Sequence, residues 1–124
     1  MHMEAQTKPR IAVVEDESDL CDNIVRFFGA RGYPCWGVDS AEAFYREMAV
    51  RSADVVVLDL GLPGEDGLKV AEHLAAAQQY GIVIVSARGT LDDRLTGLGV
   101  GADAYLVKPV DLREIAASVD AVWR

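Results

Sequence analysis

The chain has 124 residues, 51% of them hydrophobic and 26% charged, and its twenty acidic side chains against twelve basic ones give a formal net charge of −8. That length suits one domain able to bury roughly two-thirds of the surface exposed by its unfolded form, and the composition is globular rather than disordered or fibrous. The acidic balance has the wrong sign for neutralising phosphates along a nucleic acid, so direct nucleic acid binding by this domain is not expected.

Residues 1–9 read as an N-terminal tail, of the kind an expression vector leaves, and 10–124 as one domain. The first strand is Ile11-Ala12-Val13-Val14, ending in Glu15-Asp16. A helix follows with its apolar stripe at Leu20, Ile24, Phe27 and Phe28, Ser18 as N-cap, and Gly29 and Gly32 near its end. A weaker strand spans Tyr33 to Val38. Ser40 caps a second helix with Ala41, Phe44, Tyr45 and Met48 on one side. The third strand, Val55-Val56-Val57-Leu58, runs into Asp59, and a third helix carries Val70, Leu74 and Ala77. The fourth strand, Ile82-Val83-Ile84-Val85, ends in Ser86. Thr90 caps a fourth helix whose core stripe is Leu91, Leu95 and Leu98, with Gly101 beyond its end. The last strand, Ala104 to Val107, leads to Lys108-Pro109. Asp111 and Glu114 have capping-box spacing at the start of a fifth helix, whose stripe is Leu112, Ile115, Ala116, Val119 and Trp123.

Unbroken β-branched runs suit strands covered on both faces. Strand and helix alternate five times, which predicts an α/β fold with a single doubly wound parallel sheet joined by right-handed crossovers. The two cysteines, Cys21 and Cys35, make no disulfide framework, which favours a reducing, cytoplasmic setting. The longest apolar runs are far too short to cross a membrane, so no membrane partner is expected. Trp36 and Trp123 are read as packing or surface residues, and His73 as solvated.

In open α/β sheets the ligand crevice lies outside the carboxyl ends of the strands. Four of the five ends carry capable side chains: Glu15 and Asp16, Asp59, Ser86, and Lys108. If the strand order is 2-1-3-4-5, strands one and three are neighbours and bring Glu15, Asp16 and Asp59 together. Three carboxylates facing one ammonium leave a negative excess that a hard divalent cation with oxygen ligands cancels, and magnesium fits best, with manganese as a substitute. A carboxylate beside such a cation and Lys108 is suited to attack phosphorus in line, which makes Asp59 the candidate nucleophile and Ser86 a hydroxyl donor to the product. Taken singly, each feature has a plainer reading: an acidic pair complements a helix dipole, an Asp after a strand caps a turn, and Lys-Pro opens a loop. Their coincidence at one edge is what favours chemistry.

The segments Val14-Glu15-Asp16-Glu17, Leu58-Asp59-Leu60-Gly61-Leu62-Pro63-Gly64-Glu65-Asp66-Gly67, Val85-Ser86-Ala87-Arg88 and Gly101-Ala102-Asp103-Ala104-Tyr105-Leu106-Val107-Lys108-Pro109 resemble, in order, the marks of two-component response regulator receiver domains. The likeness covers nearly the whole chain and is strongest to the winged-helix, OmpR/PhoB-type subfamily. It implies a flavodoxin-like sheet of order 2-1-3-4-5 and transfer of a phosphoryl group from a sensor histidine kinase or phosphotransfer protein to Asp59. It further implies Asp16 and Asp59 as direct metal ligands, Glu15 acting largely through water, and the backbone carbonyl of Gly61 as a ligand. By the same likeness Ser86 and Tyr105 form a switch that alters the face made by the fourth helix, fifth strand and fifth helix. That switch would control an output such as transcription through a C-terminal DNA-binding domain absent from this chain. The Lys108-Pro109 bond would be cis.

The sequence departs from that subfamily where its phosphorylated form pairs across the same face. Asp103 and Glu114 are retained, but Ala104 replaces an acid, and Thr96, Ser118 and Asp120 stand where Arg or Lys is usual. Asp120 facing Asp103 would be repulsive, so the usual phosphorylation-dependent dimer is not expected. Gly61 and Arg88 occupy positions that tune phosphoryl lifetime in the family. Two rival functions are a receiver-like module that signals without phosphorylation and a flavin- or nucleotide-binding domain. The full set of Glu15, Asp16, Asp59, Ser86 and Lys108 argues against the first. The second lacks a glycine-rich phosphate loop after strand one.

Overall fold

The three valine- and isoleucine-rich runs form the middle of a five-stranded sheet, where neither face meets water. The computed structural model describes residues 8–124; residues 1–7, most of the expected tail, lie outside it. The strands are β1 (Ile11–Val14), β2 (Cys35–Val38), β3 (Val55–Leu58), β4 (Gly81–Ser86) and β5 (Ala104–Val107). They alternate with helices α1 (Ser18–Ala30), α2 (Ala41–Met48), α3 (Gly67–Ala77), α4 (Leu91–Gly99) and α5 (Leu112–Trp123). All strand pairs are parallel in the order β2-β1-β3-β4-β5, as expected.

Successive side chains on a strand point to opposite faces, and this divides the core in two. Ala12, Val14, Val56, Leu58, Ile82 and Ile84 face Phe44 of α2 and Val70 and Leu74 of α3. Ile11, Val13, Val55, Val57, Val83 and Val85 face Cys21, Ile24 and Phe28 of α1 and Ile115, Ala116 and Val119 of α5. At the sheet's lower edge Arg10 grips Asp54 through two side-chain bonds of 3.1 and 3.0 Å.

Several local expectations hold and others are corrected. Ser40 accepts from the Ala43 amide, and capping boxes form at Thr90 with Asp93 and at Asp111 with Glu114. Ser18 is not an N-cap: it is the first helical residue, Glu17 holds the cap position, and the turn is closed by Glu15, whose carboxylate accepts from the Glu17 amide at 3.0 Å. The second strand begins at Cys35 rather than Tyr33, because Pro34 has no amide to donate and the Tyr33 ring turns instead onto Phe28, centroids 5.0 Å apart. Gly29 lies inside the last turn of α1, while Gly32 just beyond it has φ of +84°. Lys108-Pro109 is cis.

The largest correction concerns α4. Leu91, Leu95 and Leu98 are not a core stripe; they are 61, 57 and 45% exposed. The helix turns Gly97 inward instead, because the Tyr105 ring already fills that space: a β-carbon on Gly97 would sit 2.7 Å from two ring carbons. Trp36 is buried and stacked on Phe44 at 6.2 Å, whereas Trp123 is 40% exposed.

This packing predicts unequal costs for the same truncation. Leu74→Ala, in the core, should destabilise by about 2–5 kcal/mol, and Leu95→Ala by no more than about 0.5 kcal/mol. Urea unfolding of both variants is the check, and similar losses would contradict the orientation of α4.

Candidate functional site

Register builds the site. Val14 pairs with Leu58, so the next residue of each strand emerges at the same edge, and the Asp59 amide donates to the Val14 carbonyl at 2.9 Å. Ser86 pairs with Val107, and the Lys108 amide donates to the Ser86 carbonyl at 2.9 Å, which brings the lysine in from β5. Glu15, Asp59 and Ser86 are the buried polar side chains of the described residues, 3, 7 and 1% exposed.

Lys108 joins the acids. Its Nζ lies 3.0 Å from Glu15 Oε1, 3.1 Å from Glu17 Oε1 and 3.3 Å from Asp59 Oδ2. Burial by itself would lower the ammonium's pKa, but bonds to Glu15 and Glu17 and the charge of Asp59 outweigh it, so Lys108 stays charged. Burial pushes the Glu15 carboxyl up to about 7, the Glu17 amide and Lys108 oppose this, and the Asp59 charge adds to the rise. One ammonium therefore does not satisfy the cluster.

Glu15, Asp16 and Asp59 each offer a carboxylate oxygen within 4.8 Å of the others. The donor set is all hard oxygen, the ligand type that magnesium takes. Asp16 is exposed and the other two are buried, leaving the cluster open on one side.

The loop after Asp59 is held tightly at both ends. The Gly61 amide donates to Asp59 Oδ1 at 3.0 Å. The Gly67 amide donates to the Leu60 carbonyl at 3.1 Å, and a β-carbon on Gly67 would lie 2.5 Å from the Asp59 carbonyl oxygen and from Leu60 Cα. Asp66 caps α3 by accepting from the Leu68 amide. These contacts explain the Asp66-Gly67 pair that ends the turn.

Ser86 and Tyr105 meet on one residue: Ser86 Oγ accepts from the Arg88 amide at 3.1 Å, and the Tyr105 hydroxyl donates to the Arg88 carbonyl at 2.6 Å. The Arg88 side chain lies over the loop, with Nη2 3.5 Å from the Leu60 carbonyl and Nη1 3.8 Å from Asp66. Sequence reasoning missed Glu17 as a partner of Lys108; the signal was its place at the end of the acidic run after β1. Asp120 accepts from the Tyr33 hydroxyl at 2.6 Å, toward α1, because the helical period carries it around from Ser118. The Asp103 carboxylate accepts from the Ile82 amide at 2.8 Å. His73, expected to be solvated, is 62% exposed yet bonded to Tyr45 at 2.8 Å.

Comparison with known proteins gives the family and the fold. The family model described as response regulator receiver domain matches residues 11–120. The transcriptional regulatory protein PrrA of Mycobacterium tuberculosis is 40% identical over 120 residues, covering 95% of this chain and 51% of that protein. BasR of Escherichia coli, also a transcriptional regulatory protein, is 38% identical over 116 residues, covering 93% of this chain and 52% of that protein. The chain thus spans about half the length of the curated relatives it matches. Among solved structures, the Francisella response regulator 1452 receiver domain superposes with a TM-score of 0.86 at 23% identity, covering 94% of this chain and 97% of that one.

The two glycines flanking the loop should respond differently to an added methyl. At Gly61 the new β-carbon meets Asp59 Oδ1 at an ordinary 3.8 Å, and at Gly67 it meets backbone at 2.5 Å. Gly67→Ala should therefore cost about 1–3 kcal/mol and Gly61→Ala under about 0.5 kcal/mol, read from thermal unfolding; the reverse order would refute the loop geometry.

Proposed function

The chain belongs to the response regulator receiver domain family, the signalling domain of two-component systems, and from that premise we propose that Asp59 is its phosphoacceptor. The observation that carries the reading is the buried Asp59 carboxylate with Lys108 Nζ 3.3 Å from one of its oxygens. An Asp59 oxygen attacks the phosphorus of a phosphohistidine, on a sensor histidine kinase or a phosphotransfer protein. The new O–P bond forms as the P–N bond breaks, and the departing imidazole nitrogen takes up a proton. Lys108 offsets the charge gathering on the phosphoryl oxygens, and the Ser86 hydroxyl donates to one of them. Asp16, Asp59 and the Gly61 carbonyl, with Glu15 largely through water, would hold a magnesium ion, replaceable by manganese, which would supply further positive charge to those oxygens. The domain promotes its own phosphorylation and its own dephosphorylation by these same groups.

The two bonds on Arg88 support a switch. When Ser86 turns to the phosphoryl group it leaves the Arg88 amide, and Tyr105, already bonded to the carbonyl of the same residue, moves inward, altering the face of α4, β5 and α5. Residues 10–124 form the receiver, and the relatives that this chain half covers are transcriptional regulators, which supports a DNA-binding output domain joined C-terminally and a cytoplasmic site of action. No helix among the described residues is long and apolar enough to cross a membrane. Thr96, Ser118 and Ala104 remove members of the ion pairs that the subfamily uses for dimerisation, so phosphorylation does not drive that dimer. A tight dimer in sedimentation of the unmodified chain carrying a phosphoryl mimic would overturn this point.

Incubation with magnesium and a small acyl phosphate should add one phosphoryl mass, and Asp59→Asn should add none. No gain by well-folded protein, with a non-hydrolysable mimic also failing to bind, favours a module that signals without phosphorylation. Magnesium at a hundredfold excess over its Kd should stabilise the fold by about 2.7 kcal/mol, an effect visible as a rise in Tm. Asp16→Asn should abolish most of that rise; full retention would remove Asp16 from the ligand set.

A further inference from the structure

Outside the site, one cluster of titratable groups has no part in the mechanism above. Tyr45 of α2, His73 of α3 and Glu65 of the β3–α3 loop converge: the Tyr45 hydroxyl is 2.8 Å from His73 Nδ1 and 3.3 Å from Glu65 Oε2, and Nδ1 is 3.8 Å from Oε2. Tyr45 is pushed up to about 12 by burial and by Glu65, so its hydroxyl keeps its proton.

Proton counting makes this cluster conditional. A tyrosine hydroxyl donates one proton and accepts others. When Nδ1 is unprotonated it competes with Glu65 for that single proton. When Nδ1 carries a proton, His73 donates to Tyr45 and Tyr45 donates to Glu65, with every group satisfied. Protonation of both ring nitrogens adds attraction between imidazolium and carboxylate, reduced by solvent because His73 and Glu65 are partly exposed.

Glu65 is well placed to transmit the effect. It lies between Gly64, whose φ of +79° turns the chain, and Asp66, which caps α3 and meets Arg88 from the opposite side. The same loop is closed by Gly67 against the backbone of Asp59 and Leu60, and it contains Gly61, bonded to Asp59. We propose that Tyr45 and His73 are positioning residues for the phosphorylation site, bracing Glu65 and the loop that follows Asp59 with a grip that tightens when His73 is protonated. The groups facing His73 are Tyr45 from α2 and Glu65 from the loop; on its own helix Lys69 stands one turn earlier and Glu72 beside it. The functional consequence, a pH-dependent phosphoryl lifetime, rests on the assignment of Asp59, while the brace itself does not.

The test separates the two. In the full chain labelled with nitrogen-15, the amides of Gly61, Gly64 and Glu65 are followed from pH 5 to 8, the window in which imidazole changes charge, together with the His73 ring. The expected result is a component of the amide shifts sharing the His73 midpoint. It should vanish in His73→Gln and weaken in Tyr45→Phe, whose ring packing is unchanged; a titration identical in His73→Gln overturns the brace. Protein loaded with magnesium and an acyl phosphate should then lose its phosphoryl group at a rate that differs from Tyr45→Phe by about two- to tenfold at the acid end, the scale of one hydrogen bond, and little at the alkaline end. Equal rates throughout, with the amide coupling present, overturn the positioning role. Failure to load at all refutes the Asp59 assignment and leaves the brace decided by the amides.

Discussion

Glu15 and Asp59 are two carboxylates held almost without solvent at the edge of one sheet, and the rest of the structure accommodates that fact. Parallel register at Val14 and Leu58 forces them side by side, and burial raises the cost of charging Glu15. Lys108 answers part of it by spanning Glu15, Glu17 and Asp59 within 3.3 Å. Its own placement depends on β5 pairing with β4, so the outermost strand on that side is tied energetically to the centre. The remaining negative excess is one that a divalent cation with hard oxygen ligands could offset.

Backbone does much of the holding. The amides of Glu17, Gly61 and Arg88 are each turned onto a site side chain, Glu15, Asp59 and Ser86. Gly67 lies so close to Asp59 and Leu60 that no side chain fits between them. These are short-range constraints, and they leave the Asp59 carboxylate little rotamer freedom. Arg88 meets this loop at the Leu60 carbonyl and Asp66, and Tyr45 and His73 meet it at Glu65.

The α4 surface shows a different economy of packing. A helix with leucines at 91, 95 and 98 would ordinarily turn them to the core, yet the Tyr105 ring leaves room on that side only for glycine. The leucines therefore form part of the exterior, next to the strand that carries Tyr105 and Val107.

Most of the architecture was legible in the residues. Runs such as Val55 to Leu58 announce strands buried on both faces, the caps at Ser40, Thr90 and Asp111 announce helix starts, and acids at two strand ends with a lysine at a third announce charge chemistry. These signals are local, set by backbone propensity and period, so the chain order alone carries them. Strand order came from likeness to a family, because periodicity does not say which strands are neighbours. Contacts between distant segments were decided only by the tertiary structure: the inward turn of Gly97, Asp120 bonded to Tyr33, Glu17 sharing Lys108, and His73 joined to Tyr45 and Glu65. Each depends on how two elements far apart in sequence meet in rotation and height, a geometry that packing volume settles and that no single helix or strand encodes.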